Sequence, residues 1–122
     1  MKNLIVAGSI IAALSVLLGA FGAHGLKTLL SLEYLAIFET AVRYQLYHAL
    51  GLMLMGISGF HLPDNLIYLP SYFLIFGTVI FSGTLITLVL TDLKWLGAIT
   101  PIGGLCLVIG WLLFAYNIYF RS

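Results

Sequence analysis

Charge is what this sequence lacks most. Its 122 residues include five basic and four acidic side chains, 7% of the total. A soluble domain carries roughly 25%. So few charges cannot coat a water-facing surface of this size, which excludes a soluble globular enzyme. The net charge is +1, with no basic run, which excludes a cationic nucleic-acid binder. Cysteine is nearly missing too. Cys106 has no partner for an internal disulfide or a Cys-x-x-Cys zinc pair, and it reads as a small buried apolar side chain. The chain is too short for more than one domain.

What it has instead is apolar length, with 62% of its residues hydrophobic. A membrane-spanning helix needs about 20 mostly apolar residues, because the hydrocarbon core is about 30 Å thick. Leu4 to Ala23, Leu66 to Leu90 and Leu96 to Phe120 are all free of charge. A fourth apolar stretch, Tyr44 to Phe60, is shorter, but its helical pattern runs back to about Glu33. The runs predict helices near residues 3–24, 33–60, 66–91 and 96–120. Short breaks at 61–65 and 91–94 make their flanking helices antiparallel neighbours. The first run also resembles a secretory signal, but it is longer than a usual signal core, and its small residues near position 20 suit close packing better than cleavage. The fold expected is all-α: an integral membrane four-helix antiparallel bundle forming one domain over residues 1–122.

Between helices 1 and 2 lies the one long connection, Gly25 to about Arg43. It holds Lys27, Glu33, Glu39 and Arg43 among apolar residues. This pattern predicts an amphipathic segment at the membrane interface, with Ser31 capping a helix that begins at Leu32. Pro101 and Pro70 fall early in their helices, where a missing N–H costs little. Three basic residues on one side against two on the other lean only slightly toward a cytoplasmic connection.

Two sets of residues stand out. Gly8, Ala12, Ser15, Gly19 and Gly22 share one face of helix 1. In lipid such a stripe lets backbones approach and gain packing contacts. Helix 2 carries the only dense polar set, with Glu39, Arg43 and Tyr47 stepping up one face while Tyr44 and His48 rise on the next. Glu39 and Arg43 are spaced to pair. Ionisable groups inside a span are costly, and histidine as a residue type ordinarily titrates near neutral pH. The set therefore fits three readings: an interfacial ion pair with a tyrosine belt and a core histidine, proton or ion handling, or binding of a lipid headgroup or quinone-like molecule. His24 would join this face if helices 1 and 2 pack together, yet no short spacing of metal ligands occurs, so no metal is expected. Thr84, Thr87 and Thr91 share a face of helix 3 and read as structural hydroxyls. No nucleophile–base arrangement, phosphate loop or paired-carboxylate site is present, so neither an enzyme nor a cofactor is expected.

Five blocks in order carry a resemblance: Gly19-Ala-Phe-Gly-Ala-His-Gly-Leu26, Tyr44-Gln-Leu-Tyr-His48-Ala, Phe81-Ser-Gly83, Ile99-Thr-Pro-Ile-Gly-Gly104 and Gly110-Trp111. Together they resemble the bacterial "domain of unknown function 423" membrane proteins, related to eukaryotic transmembrane protein 256. The resemblance covers nearly the whole chain. It implies a small four-span protein of the bacterial cytoplasmic (inner) membrane with no established activity. Thr84 and Ile86 stand where that pattern has a serine and an aromatic, so any role of that aromatic does not carry over. The expected function is a structural or accessory bundle in contact with membrane lipid, self-associating or packing with a larger membrane complex. The alternative is a proton, ion or small-molecule transporter or channel using the polar face of helix 2.

Overall fold

The computed structural model describes all of residues 1–122. It is all-helical, without strands. Helix α1 spans Lys2–Phe21 and continues as a π-helical turn, Gly22–Leu26. Helix α2 spans Leu32–Ser58, α3 Tyr68–Thr91 and α4 Thr100–Arg121. Short 3-10 turns at Asp64–Leu66 and Lys94–Ala98 lead into α3 and α4.

Local chemistry explains the ends. The Ser31 hydroxyl accepts from the Tyr34 N–H at 3.1 Å, which caps α2, and Glu33 sits in its positive first turn. Helix α3 stops where Asp92 turns left-handed (φ 58°), and the Asp92 N–H closes on the Leu88 carbonyl. Pro101 lies in the first turn of α4, where its missing N–H leaves no helix bond unmade.

Helix α2 begins at Leu32 behind its Ser31 cap, as expected, and nothing between Leu32 and Arg43 interrupts it. The charged segment 32–43 is therefore the first turns of α2, and the link from α1 is only the few residues between Leu26 and Leu32. Three helical stretches, not four, are both long and apolar enough to cross a membrane: Lys2–Leu26, Asp64–Thr91 and Lys94–Arg121. Helix α2 is the longest α-helix, at 27 residues, but its polar run from Glu39 to His48 lowers its apolarity.

Helices α2 and α3 form the central contact, with α1 against α2 and α4 against α3. The α1–α2 seam is built on small residues. A Cβ placed on Gly8 would stand 2.6 Å from the Ala49 carbonyl oxygen, and one on Gly22 would stand 2.7 Å from the Phe38 ring. From α2, a Cβ on Gly56 would meet Ile5 at 2.8 Å. The α3–α4 seam is as tight, and there glycine faces glycine. A Cβ on Gly103 would lie 2.5 Å from the Phe81 nitrogen and 2.9 Å from the Gly77 carbonyl oxygen. Trp111 reaches past α3 to α2, where it fills the space beside Gly51.

Two apolar clusters divide the interior. One gathers Leu26, Phe38, Val42, Leu88, Val89 and Leu96. The other gathers Leu4, Leu52, Met55, Ile67 and Leu74. Cys106 is half-buried rather than buried. It borders a surface hollow with Leu69, Tyr72, Phe73 and Phe76, because α4 turns that position toward the flank of α3.

Candidate functional site

The polar set of α2 divides over three faces of that helix. Glu39, Arg43 and Tyr47 point outward, away from the other helices. Arg43 Nη2 lies 3.8 Å from Glu39 Oε2, with the two side chains 65% and 54% exposed. They border a shallow hollow floored by Gly19, Gly22, Phe38 and Val42, where α1 meets α2. One face round, Tyr44 stacks on Phe81 at 4.8 Å between ring centroids. His48 lies beneath it, buried, with its ring 5.9 Å from that of Trp111. His48 Nδ1 is 2.7 Å from the Tyr44 carbonyl oxygen of its own helix, an acceptor that places the ring proton on Nδ1. Gln45 faces a third way, into a groove between α1 and α3.

The six candidate residues therefore do not form one site. Glu39 pairs with Arg43, and Tyr47 stands beside them on the outer face. Tyr44 and His48 share an aromatic layer with Phe81 and Trp111. His24 is exposed on the π-helical turn, and no cluster of three metal-capable side chains exists anywhere in the chain. Its turn ends α1 beyond the level of Glu39, which is why the expected meeting does not occur.

The small stripe of α1 divides as well. Gly8, Ser15 and Gly22 are buried, Ala12 is partly buried, and Gly19 is exposed. The only side-chain atom near a Cβ on Gly19 would be Val42 Cγ1, at 3.6 Å.

Several polar residues make bonds between elements whose partners the sequence did not identify, and of these Asn117 and Tyr34 were not singled out from sequence. Asn117 is 1% exposed, and its Nδ2 donates to the Leu66 carbonyl oxygen at 3.0 Å, tying α4 to the turn before α3. Ser82 donates to the Ala41 carbonyl oxygen at 2.7 Å, a bond from α3 to α2. Thr84 and Thr100 join α3 to α4 with 2.6 Å between hydroxyls. The Tyr34 hydroxyl bonds to the Asp92 carboxylate and ties the start of α2 to the end of α3. For Asn117, its place as the sole amide in the apolar run of α4 was a usable signal. For Ser82 and Tyr34 no local pattern marks the partner, since it lies on another helix.

Known proteins match this chain closely. The family model described as "Protein of unknown function (DUF423)" matches residues 18–104. A UPF0382 membrane protein of Staphylococcus saprophyticus is 46% identical over 113 residues, covering 93% of each chain. One from Staphylococcus epidermidis is 47% identical over 112 residues, covering 92% of this chain and 91% of its own. The UPF0382 membrane protein YwdK of Bacillus subtilis is 42% identical over 118 residues, with 93% of both chains covered. No solved structure matches. Four helices with apolar exteriors, small-residue seams and this sequence likeness place the chain in the DUF423 family, whose relatives are named as membrane proteins of unknown function.

Proposed function

We propose that this protein is a non-enzymatic accessory bundle of the bacterial inner membrane, which crosses the bilayer four times and associates with a second copy or a larger membrane complex. In this reading α1 to α4 alternate in direction, and the first turn of α2 lies at the interface.

The observation that carries the reading is the outward Glu39–Arg43 pair. Arg43 lies eleven residues past Leu32, the first residue of the 27-residue α2. At about 1.5 Å per residue that is ~16 Å along the axis. A helix of this length overhangs a ~30 Å core by only ~5 Å at each end when centred. The pair thus falls inside the hydrocarbon while facing away from its own helices. Ionised groups at that depth face protein or water rather than acyl chains. A protein partner supplies such a covering. The patch carries both signs, so a second copy turned by a two-fold axis presents Glu39 to Arg43 and Arg43 to Glu39.

Transport is less well supported. An apolar cluster lies toward each end of the chain's interior, and the charged pair lies outside it. His48 is bonded to its own helix rather than to a relay partner.

The test is capture from native membranes in mild detergent, followed by mass spectrometry, for wild type and Arg43→Ala. A complex in wild type that Arg43→Ala loses is the expected result. A single copy without partners in both would sink the reading. Proton flux in liposomes checks the alternative. Flux that wild type supports and His48→Phe abolishes would replace association with transport.

A further inference from the structure

Of the five basic and four acidic side chains, seven stand at the ends of helices or in the turns between them. Lys2 opens α1, Glu33 lies in the first turn of α2 and Arg121 ends α4. Lys27, Asp64, Asp92 and Lys94 lie in the connections. Only Glu39 and Arg43 stand inside a helix, seven and eleven residues past its first residue. Their meeting is incomplete. At 3.8 Å the two are in ionic contact but beyond hydrogen-bonding distance, and both side chains are more than half exposed. Other charged heads find partners: Asp92 accepts from Tyr34, and Arg121 donates to Asn117. Neither Glu39 nor Arg43 takes part in any such bond within the chain.

We infer that the group completing this pair is the same pair on a second copy of the chain, so that each Arg43 bonds the Glu39 of the other copy. The inference rests on the association proposed above and names its partner. Charge selects the occupant. A patch of one cation and one anion carries no net charge, so it gains little from an anionic headgroup, which Glu39 repels. It is its own complement instead: under a two-fold axis each sign on one copy meets the opposite sign on the other. Orientation fixes the geometry. Two copies inserted the same way round are related by an axis along the membrane normal, which sets their α2 helices side by side and parallel. Like residues then face each other at equal height. Glu39 of one copy lies one turn, about 6 Å, from the level of Arg43 on the other. The long arginine stem spans that step, and its planar fork holds a carboxylate with two parallel N–H bonds. The crossing turns two loose ionic contacts into two charge-assisted hydrogen bonds, and it places a guanidinium between the two facing carboxylates.

The experiment co-expresses full-length chains that carry two different epitope tags. One tag is captured from membranes in mild detergent and the other is read. Wild type captures wild type. Arg43→Glu puts two acids on the face and Glu39→Arg puts two bases there, so each falls about tenfold or more in capturing its own kind. Co-expressed, the two variants capture each other as wild type does, because every cross-contact is again between opposite signs. The exchanged variant Glu39→Arg with Arg43→Glu keeps both signs on one chain and captures itself, so the result does not hang on the single-sign copies. Equal capture by all pairings overturns the proposal. So does a mixture, or an exchanged variant, that stays apart. Wild-type chains that do not capture one another also overturn it. The accessory reading survives that last result if native membranes still yield a different partner protein that Arg43→Ala loses. A wild type that then melts higher in phosphatidylethanolamine than in phosphatidylglycerol vesicles assigns the pair to a zwitterionic headgroup instead.

Discussion

The α1–α2 and α3–α4 seams are both lined with glycine, yet the contacts their glycines make differ from place to place. In α1–α2, Gly22 faces a side chain, the Phe38 ring, while Gly8 and Gly56 also meet backbone atoms. In α3–α4, Gly103 meets backbone, the Phe81 nitrogen and the Gly77 carbonyl, while Gly77 and Gly110 first meet the side chains of Leu107 and Leu74. A ring can turn or slide to admit a methyl group, but another helix's backbone can yield only by moving the whole helix. The same residue type thus makes an adjustable contact at Gly22 and a fixed one at Gly103. Small-residue faces matter in lipid because helix contacts there depend on close packing rather than on escape from water.

The largest effect is therefore expected at Gly103. Gly103→Leu should cost about 3 kcal/mol or more, the upper end for overpacking a tight contact, and should part α3 from α4. Thermal melting in detergent, with a cysteine cross-link placed across the seam, reads both changes. Retention of the cross-link and the melting temperature would mean the seam is looser than its glycines imply. Asn117→Ala comes next. It strips the Leu66 carbonyl of its donor, and leaving a buried acceptor unpaired costs about 1–3 kcal/mol.

Gly22→Ala should be milder, about 1–2 kcal/mol, because the Phe38 ring can turn aside. If Gly22→Ala proved as damaging as Gly103→Ala, the distinction between the two contacts would fail. Ser82→Ala removes the α3–α2 bond and should cost about 0.6 kcal/mol, the average for hydrogen bonds between helices in a membrane. The smallest effect is expected from Gly19→Leu. That position is exposed, so the change should stay within about 0.5 kcal/mol. A large loss there would show that a partner molecule lies on this face, which would support association beside Glu39 and Arg43.

The sequence was informative wherever the cause was local. Charge-free runs placed the helices, Ser31 announced its cap, and the four-residue spacing put Glu39 beside Arg43. The five ordered blocks marked the family. It was less informative where the cause lay across space. The stripe on α1 grouped Gly19 with Gly8 and Gly22, because helical periodicity records a face but not which edge of it the partner covers. The α3–α4 seam was missed, although Gly103, Leu107 and Gly110 have the same 0, 4, 7 spacing. Periodicity also showed that Tyr44 and Arg43 point differently, but it could not show that Phe81 would stack on the first and leave the second bare.

The pairing of α1 with α2 and of α3 with α4 bears on how the protein is made. Each seam joins helices that leave the ribosome one after the other, separated by a few residues. The first pair can close while α3 and α4 are still being synthesised. The α2–α3 contact, with its Ser82 and Tyr34 cross-bonds, must wait for α3. The groove beside Gln45, walled by α1, α2 and α3, therefore takes its shape only after the first pair has been joined by the third helix.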